Sequence, residues 1–164
     1  MNYFTNPNDT ERVAQARESF SGRLLTDSQF DEAMAITGIV EREIRKNGAF
    51  KDKLGDYAHA FARSEKFDAM KAETIIRDLF RDRTGQTMNQ MREALEEREQ
   101  KLTSEQRQNA YHFAYEIGPM IETGDKMTFN RAFAHQAQVL ASELGITDAA
   151  AKTLMKDEFK AVEE

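Results

Sequence analysis

Histidine paired with a carboxylate at helical spacing is the pattern in this sequence that could hold a metal ion. Asp56 lies three residues before His59, and Glu116 lies four residues after His112. Side chains at these spacings share one face of a helix, so each pair could supply two ligands to zinc or iron. The third histidine is His135. A di-iron helical bundle needs Glu-x-x-His repeats, and the sequence contains none, so we expect exposed helix-surface residues and no bound metal or cofactor.

Nucleophilic catalysis has no recognisable signature in the sequence. The chain has no Cys, and it contains neither a Gly-x-Ser-x-Gly elbow nor a Ser-x-x-Lys motif. Its eight Gly residues are dispersed, which excludes a Gly-rich loop that cradles phosphate. Adjacent acids such as Glu96 and Glu97 point about 100° apart on a helix, which is typical of a solvated face. The sequence therefore predicts a protein that is not an enzyme, and a metal-dependent enzyme is the least favoured alternative.

Helix start and stop signals recur along almost the whole chain. Thr followed three residues later by Gln is the capping-box spacing that opens a helix, and it occurs at Thr26/Gln29, Thr87/Gln90 and Thr103/Gln106. Gly follows several apolar stripes, as expected where a helix ends. No run of alternating β-branched residues indicates a strand. We predict an all-α fold, a bundle of about seven to eight helices, with a flexible arm over 1–9 and a single helical domain over 10–164.

Four local details of this helical pattern can be tested against the structure. Asp9 or Thr10 is expected to cap a first helix that runs through Phe20. Met70 is expected to point inward with the other apolar residues of a helix over 67–83. A break is expected at Pro119, which lacks an amide hydrogen and clashes with the preceding turn. Thr128 is expected to cap the helix that follows it.

Length and charge limit the partners and the location of the protein. The 164 residues carry a net charge of −6, which suits one domain and disfavours nucleic acid and anionic membranes. The N-terminal residues have neither a basic region nor an apolar core of the kind found in signal peptides. No stretch reaches the roughly 20 apolar residues that a spanning helix needs. We therefore expect a cytoplasmic protein with no membrane partner.

The stretch 138–154 resembles a helix-turn-helix unit. Such a unit has a small residue on its first helix, Gly in the turn and apolar residues that lock the pair. These places are taken by Ala141, Gly145, Ile146, Ala151 and Leu154. If the segment 136–160 read DNA, the start of its second helix would enter the major groove, where Lys152 is the basic residue. Residues 136–164 contain three Lys and six acidic residues, so packing is the favoured role of this pair.

A local group of basic residues surrounds the Asn47-Gly48 turn. It consists of Arg42, Arg45, Lys46, Lys51 and Lys53. Together with Lys152, these side chains could contact an acidic partner or a nucleic-acid backbone. Solvated helix ends explain them as well, because Lys and Arg are favoured near helix C-termini.

Together these patterns favour a non-enzymatic protein-protein interaction, regulatory or adaptor protein. Its partner is expected to be another protein or a second copy of this chain. The candidate contact residues are adaptable Met and aromatic side chains: Met88, Met91, Tyr111, Tyr115 and Met120. Core packing explains the same residues about as well. The alternative is a DNA-associated regulator that uses the segment 136–160.

Overall fold

The computed structural model describes residues 7–115 and 126–163. Regular secondary structure in those ranges is helical throughout, with no strand, which confirms the all-α fold class. Nine helices lie in the described ranges: α1 (Pro7–Glu18), α2 (Phe20–Arg23), α3 (Asp27–Asn47), α4 (Lys51–Glu65), α5 (Ala69–Thr84), α6 (Met88–Gln100), α7 (Ser104–Tyr115), α8 (Lys126–Leu144) and α9 (Asp148–Glu163).

The three Thr–Gln capping boxes form as predicted. At the start of α3, the backbone N–H of Thr26 donates to Oε1 of Gln29 at 2.9 Å. The backbone N–H of Gln29 donates in return to Oγ1 of Thr26 at 3.2 Å. The same reciprocal pair opens α6 and α7. Each box satisfies two amide groups that have no partner within the helix, which is why these boundaries can be read locally.

Residues in the left-handed region follow four of the helices, among them Gly48 after α3 with a φ of 81°. Gly85 after α5 and Gly145 after α8 have φ angles of 81° and 70°. Lys66 ends α4 with a φ of 59°, although it is not a glycine. After α8, the N–H groups of Gly145 and Ile146 both donate to the carbonyl of Ala141, at 2.8 and 3.1 Å. This arrangement satisfies a terminal carbonyl and turns the chain sharply toward α9.

Within the described residues, 7–44 and 49–92 form one compact unit, here called unit 1. α5 is its central helix, because α1, α2 and α4 all pack against it. The inward side of α5 includes Ile76, Leu79 and Phe80, whose side chains are completely buried. Burial of such side chains supplies most of the stability of a small helical unit.

A charged side chain also lies in the core of unit 1. Arg83 of α5 is buried, and its Nε donates to Oγ1 of Thr37 at 3.1 Å while its Nη2 donates to Oε1 of Glu41 at 2.8 Å. The Thr37 hydroxyl donates in turn to the carbonyl of Met34 at 2.6 Å. A buried guanidinium is tolerated only when it is paired and hydrogen-bonded. This network therefore joins α5 to α3.

Residues 45–48, 93–115 and 126–163 form the described part of a second compact unit, here called unit 2. α7 and α8 both pack against α9 and also contact each other. Their buried residues are mostly small or aliphatic, which lets the three helices approach closely. The core consists of Ala110, Ala137, Leu140, Ala141, Ile146, Ala150, Ala151, Leu154 and Met155.

Several helix boundaries differ from the predictions. α1 begins at Pro7, because proline at the first helical position loses no hydrogen bond. It ends at Glu18, and Phe20 starts the separate helix α2. α8 begins at Lys126, so Thr128 lies inside its first turn and is not the N-cap. Thr occurs both at N-caps and in the first turn of helices, so a Thr residue alone does not fix where a helix begins. Residues 1–6 and Pro119 lie outside the described residues.

None of the helices in the described ranges combines the length and the apolar character needed to cross a membrane.

Candidate functional site

The three histidines lie on the surface. The side chains of His59, His112 and His135 are all exposed, as is that of Asp56. Glu116, the predicted partner of His112, lies outside the described residues. In the part of the chain that the structure describes, no three His, Asp or Glu side chains come together in a way that could hold a metal ion.

The predicted Met and Tyr contact residues fall into different environments. Met88 and Met91 belong to unit 1 and are each 2% exposed. They are core residues, so the structure corrects the expectation that they present a contact surface. In unit 2, Tyr115 is exposed and Tyr111 is half-buried, with their ring centroids 5.7 Å apart. Met120 lies outside the described residues.

The predicted basic contacts are mostly on the surface. Five of the side chains are exposed: Arg42, Arg45, Lys46, Lys51 and Lys53. Lys152 is half-buried. In unit 2, burial raises the pKa of Asp148 above its ordinary value, and this effect outweighs the attraction of Lys152 and Lys46.

The start of α9 offers little to a DNA base. The Thr147 side chain is used internally, since its Oγ1 accepts from the Ala150 N–H at 3.1 Å, and both residues are buried. Ala149 and Thr153 are exposed, but the Thr153 hydroxyl donates to the Ala149 carbonyl at 3.1 Å. Base recognition needs polar side chains free to reach the groove, so these positions favour packing.

In the described part of unit 1, the large exposed apolar side chains lie at α2 and near the start of α5. Phe20, Leu24 and Met70 are 81%, 49% and 78% exposed. They surround a cavity of about 280 Å³. We call this surface the α2–α5 groove, and its lining consists of Phe20, Ser21, Leu24, Met70, Lys71, Thr74, Ile75 and Asp78.

One hydrogen bond caps α2, and another holds α2 against α5. The Ser19 hydroxyl oxygen accepts from the Gly22 N–H at 3.1 Å and caps the helix. The Ser21 hydroxyl, on the buried side, donates to Oδ2 of Asp78 at 3.0 Å. Because Ser21 is held against α5, the neighbouring Phe20 side chain is directed outward.

Glycine is required on the side of α2 that faces α1. A Cβ atom at Gly22 would overlap the carbonyl oxygen of Ala16 and would lie 2.8 Å from that of Arg17. Both obstacles are backbone atoms, which cannot move aside as a flexible side chain can. The close approach of α2 to α1 therefore depends on this residue.

Sequence patterns did not identify this groove. Met70 was expected to point inward, but it lies on the exposed side of the first turn of α5. Phe20 was expected to end the first helix, whereas it begins α2. The spacing of four residues between Phe20 and Leu24 is the one signal that could have indicated an apolar face.

The groove has one positive and one negative side chain, separated by two turns of α5. The Lys71 ammonium lies 5.2 Å from the centroid of the Phe67 ring. Asp78 accepts from Ser21, and its Oδ1 lies 3.8 Å from Nη2 of Arg81. The lining holds no histidine that could activate the Ser21 hydroxyl. The groove can therefore bind an apolar partner surface, and its two charged side chains can select partners of complementary charge.

No protein family model matches the chain, and comparisons with curated proteins and with solved structures give no significant similarity.

Proposed function

We propose that this chain is a non-enzymatic interaction protein whose contact surface is the α2–α5 groove. The observation that carries the proposal is the joint exposure of Phe20, Leu24 and Met70 around one cavity. Single exposed apolar residues are common, but an apolar patch rimmed by polar side chains is typical of a binding surface.

The energetics support a contact surface of this composition. Complete burial of a Phe, Leu or Met side chain contributes roughly 1.5–3 kcal/mol. Phe20 and Met70 retain about four-fifths of their exposure, so most of that contribution is available to a partner. Aromatic and Met side chains are also enriched at the centres of protein interfaces.

The shape of the surface favours a protein over a small molecule. Small-molecule sites are concave and surround most of their ligand. Phe20 and Met70 instead project into solvent from two helices, so a partner must supply a complementary surface for them. A protein that presents an apolar face with polar edges has that chemistry.

Site-specific photocrosslinking in the native cell tests the proposal, with a photoreactive amino acid in place of Met70. We expect covalent adducts with protein in the cytoplasm, which is the compartment predicted from the sequence. The matched control carries the same group at Lys53, an exposed position of unit 1 that does not line the groove. A second variant adds Phe20→Ser, which should remove the adducts at position 70. Equal labelling at positions 70 and 53 would contradict the proposal.

A DNA-associated role through the segment 136–160 remains the alternative proposal. Its support is the tight turn at Gly145 and the capped start of α9. A gel-shift titration at low salt tests it, since phosphate contacts are strongest there. Binding to a duplex that is weakened by Lys152→Glu would favour this role, and no shift with any duplex would exclude it.

A further inference from the structure

We infer that the α2–α5 groove pairs with the same groove of a second copy of this chain, with the two α5 helices antiparallel across a two-fold axis. This inference rests on the proposed function, since it names the partner of that surface. The inference depends on the order of charges along α5. When a second α5 lies antiparallel to the first, the positive end of each helix faces the negative end of the other.

The residues of α5 that line the groove from Lys71 to Asp78 have a simple order. Lys71 and Asp78 are seven residues apart, so they lie on one face about 10.5 Å apart along the helix axis. Thr74 and Ile75 line the groove between them. These residues form a stripe along α5 with Lys71 at its positive end, Thr74 and Ile75 in its middle and Asp78 at its negative end.

A two-fold axis through the middle of this stripe pairs opposite charges. Its centre lies between Thr74 and Ile75, at equal distances from Lys71 and Asp78. In a two-fold interface, a residue that contacts a second residue is contacted by it in return. Lys71 of one copy would thus meet Asp78 of the other copy, and the same pair would form twice. Parallel helices would instead place like charges together.

Both charged groups keep capacity for a partner. Asp78 uses Oδ2 for the Ser21 hydroxyl, and Oδ1 has a loose 3.8 Å contact with Arg81. An ionised carboxylate can accept about four hydrogen bonds. Lys71 is exposed and rests beside the Phe67 ring. A Lys71 ammonium from the second copy can therefore reach Oδ1 without displacing Ser21.

The apolar residues fit the same arrangement. Thr74 is short and exposed, so the two α5 helices can approach closely at the axis. Phe20 and Leu24 of α2 flank the stripe and would cover the α5 helix of the second copy. In such an interface the apolar side chains supply affinity, and the charge pairs set the antiparallel register.

Sedimentation velocity over a concentration series tests the inference with charge-reversal variants. The unmodified chain should show a monomer–dimer equilibrium. In a dimer of Lys71→Glu, the new Glu of each copy faces Asp78 of the other copy, so both pairs repel. In a dimer of Asp78→Lys, the new Lys of each copy faces Lys71 of the other copy, and both pairs again repel. Each variant alone should raise the dimer dissociation constant by at least about tenfold. An equimolar mixture of the two should restore the dimer, because both pairs are then of opposite sign.

Three controls separate this result from loss of folding. Arg63→Glu changes an exposed charge of α4 that does not line the groove and should leave the equilibrium unchanged. Ser21→Ala removes the same intrachain hydrogen bond that Asp78→Lys removes, so its dimer dissociation constant shows how much of the Asp78→Lys effect comes from loss of that bond alone. Thermal melting of each variant confirms that the helices are retained.

The outcomes distinguish the inference from the proposed function. Rescue of the dimer in the mixture supports self-pairing through this groove. A monomer at every concentration would overturn it, as would a dimer whose dissociation constant is the same in both charge-reversal variants as in the unmodified chain. In that case adducts at position 70 with a different protein would leave the proposed function standing, and absence of any adduct would overturn both.

Discussion

Nη2 of Arg83 lies 2.8 Å from Oε1 of Glu41, although the two residues are 42 positions apart in the chain. The Arg83 side chain is 2% exposed and that of Glu41 is 21% exposed, so the pair is shielded from water on the arginine side. Desolvation of the guanidinium is offset by its hydrogen bonds to Glu41 and Thr37. The position of α3 on α5 is therefore sensitive to each member of this pair.

Replacement of Arg83 should be strongly destabilising. Arg83→Met removes the cation and leaves the Glu41 carboxylate without this partner, so we expect the free energy of unfolding to fall by about 3 kcal/mol. Urea denaturation followed by circular dichroism measures the change. Arg77→Met is the matched control, because Arg77 forms a partly exposed ion pair with Glu73 at 3.1 Å. Its loss should amount to less than about 1 kcal/mol, and equal losses for the two variants would contradict the assigned role of Arg83.

The turn between α8 and α9 should tolerate Asn better than Ala or Val at position 145. The φ of Gly145 is 70°, and a Cβ in this region costs about 1–2 kcal/mol. Gly145→Ala should therefore lower the free energy of unfolding by that amount, Gly145→Val by more, and Gly145→Asn by less. Thermal melts of the three variants give the order.

Gly55 supplies the opposite control for that series. It lies inside α4, and a Cβ there would meet no atom within 4 Å. Gly55→Ala should stabilise the chain by roughly 0.5–1 kcal/mol, since Ala favours helix over Gly. If Gly55→Ala and Gly145→Ala shifted the melting temperature in the same direction, the left-handed assignment of Gly145 would be wrong.

Glu32 should make the protein less stable as the pH rises. Burial, followed by a hydrogen bond and charge repulsion from Glu65, raises the pKa of Glu32 above its ordinary 4.5. The folded state then binds the proton more readily than the unfolded state, so the free energy of unfolding falls as the pH rises from 4.5 through the raised pKa. Glu32→Gln should be stabilising at neutral pH by less than about 1 kcal/mol, because the side chain is only partly buried and solvent screens its charge.

Denaturation of this variant at several pH values provides the measurement. The difference from the unmodified chain should disappear below pH 4.5. Glu97→Gln is the comparison, because the hydrogen bond from Lys101 lowers the pKa of Glu97. Its effect should have the opposite sign at neutral pH. A difference for Glu32→Gln that persists unchanged into acid would show that the carboxyl is not perturbed.

Gly22→Ala should disrupt the corner between α1 and α2. The new methyl group would overlap the Ala16 and Arg17 carbonyls, so we expect a loss of at least about 2 kcal/mol. Ser19→Ala is the milder comparison, since it removes the N-cap hydrogen bond from the Gly22 N–H and the hydroxyl's bond to the Ala16 carbonyl without creating an overlap, at a cost of about 1–2 kcal/mol. Chemical denaturation ranks the two, and an equal or larger effect for Ser19→Ala would contradict the close approach at Gly22.

Short-range signals account for what could be predicted from the sequence. A capping box such as Thr26/Gln29 is complete within four residues, so its geometry does not depend on the rest of the fold. The positive φ of Gly145 follows similarly from its place after an apolar stripe.

Long-range packing accounts for what could not be predicted. Met70 and Met88 both occur near the start of a helix, yet one is 78% exposed and the other 2%. The difference depends on which helices cover each position, and the spacing of residues does not contain that information. The sequence does not single out Arg83, because its partners on α3 are more than 40 positions away.

The shortness of α2 has a consequence for the lifetime of the groove. A helix of four residues has no stability of its own, so Phe20 and Leu24 keep their places only while α1 and α5 support them. Local opening of α2 should therefore occur far more often than global unfolding, and its amide hydrogens should exchange with solvent faster than those of α5. A bound partner that covers Phe20 would suppress this opening, so slowed amide exchange in α2 would report occupancy of the groove.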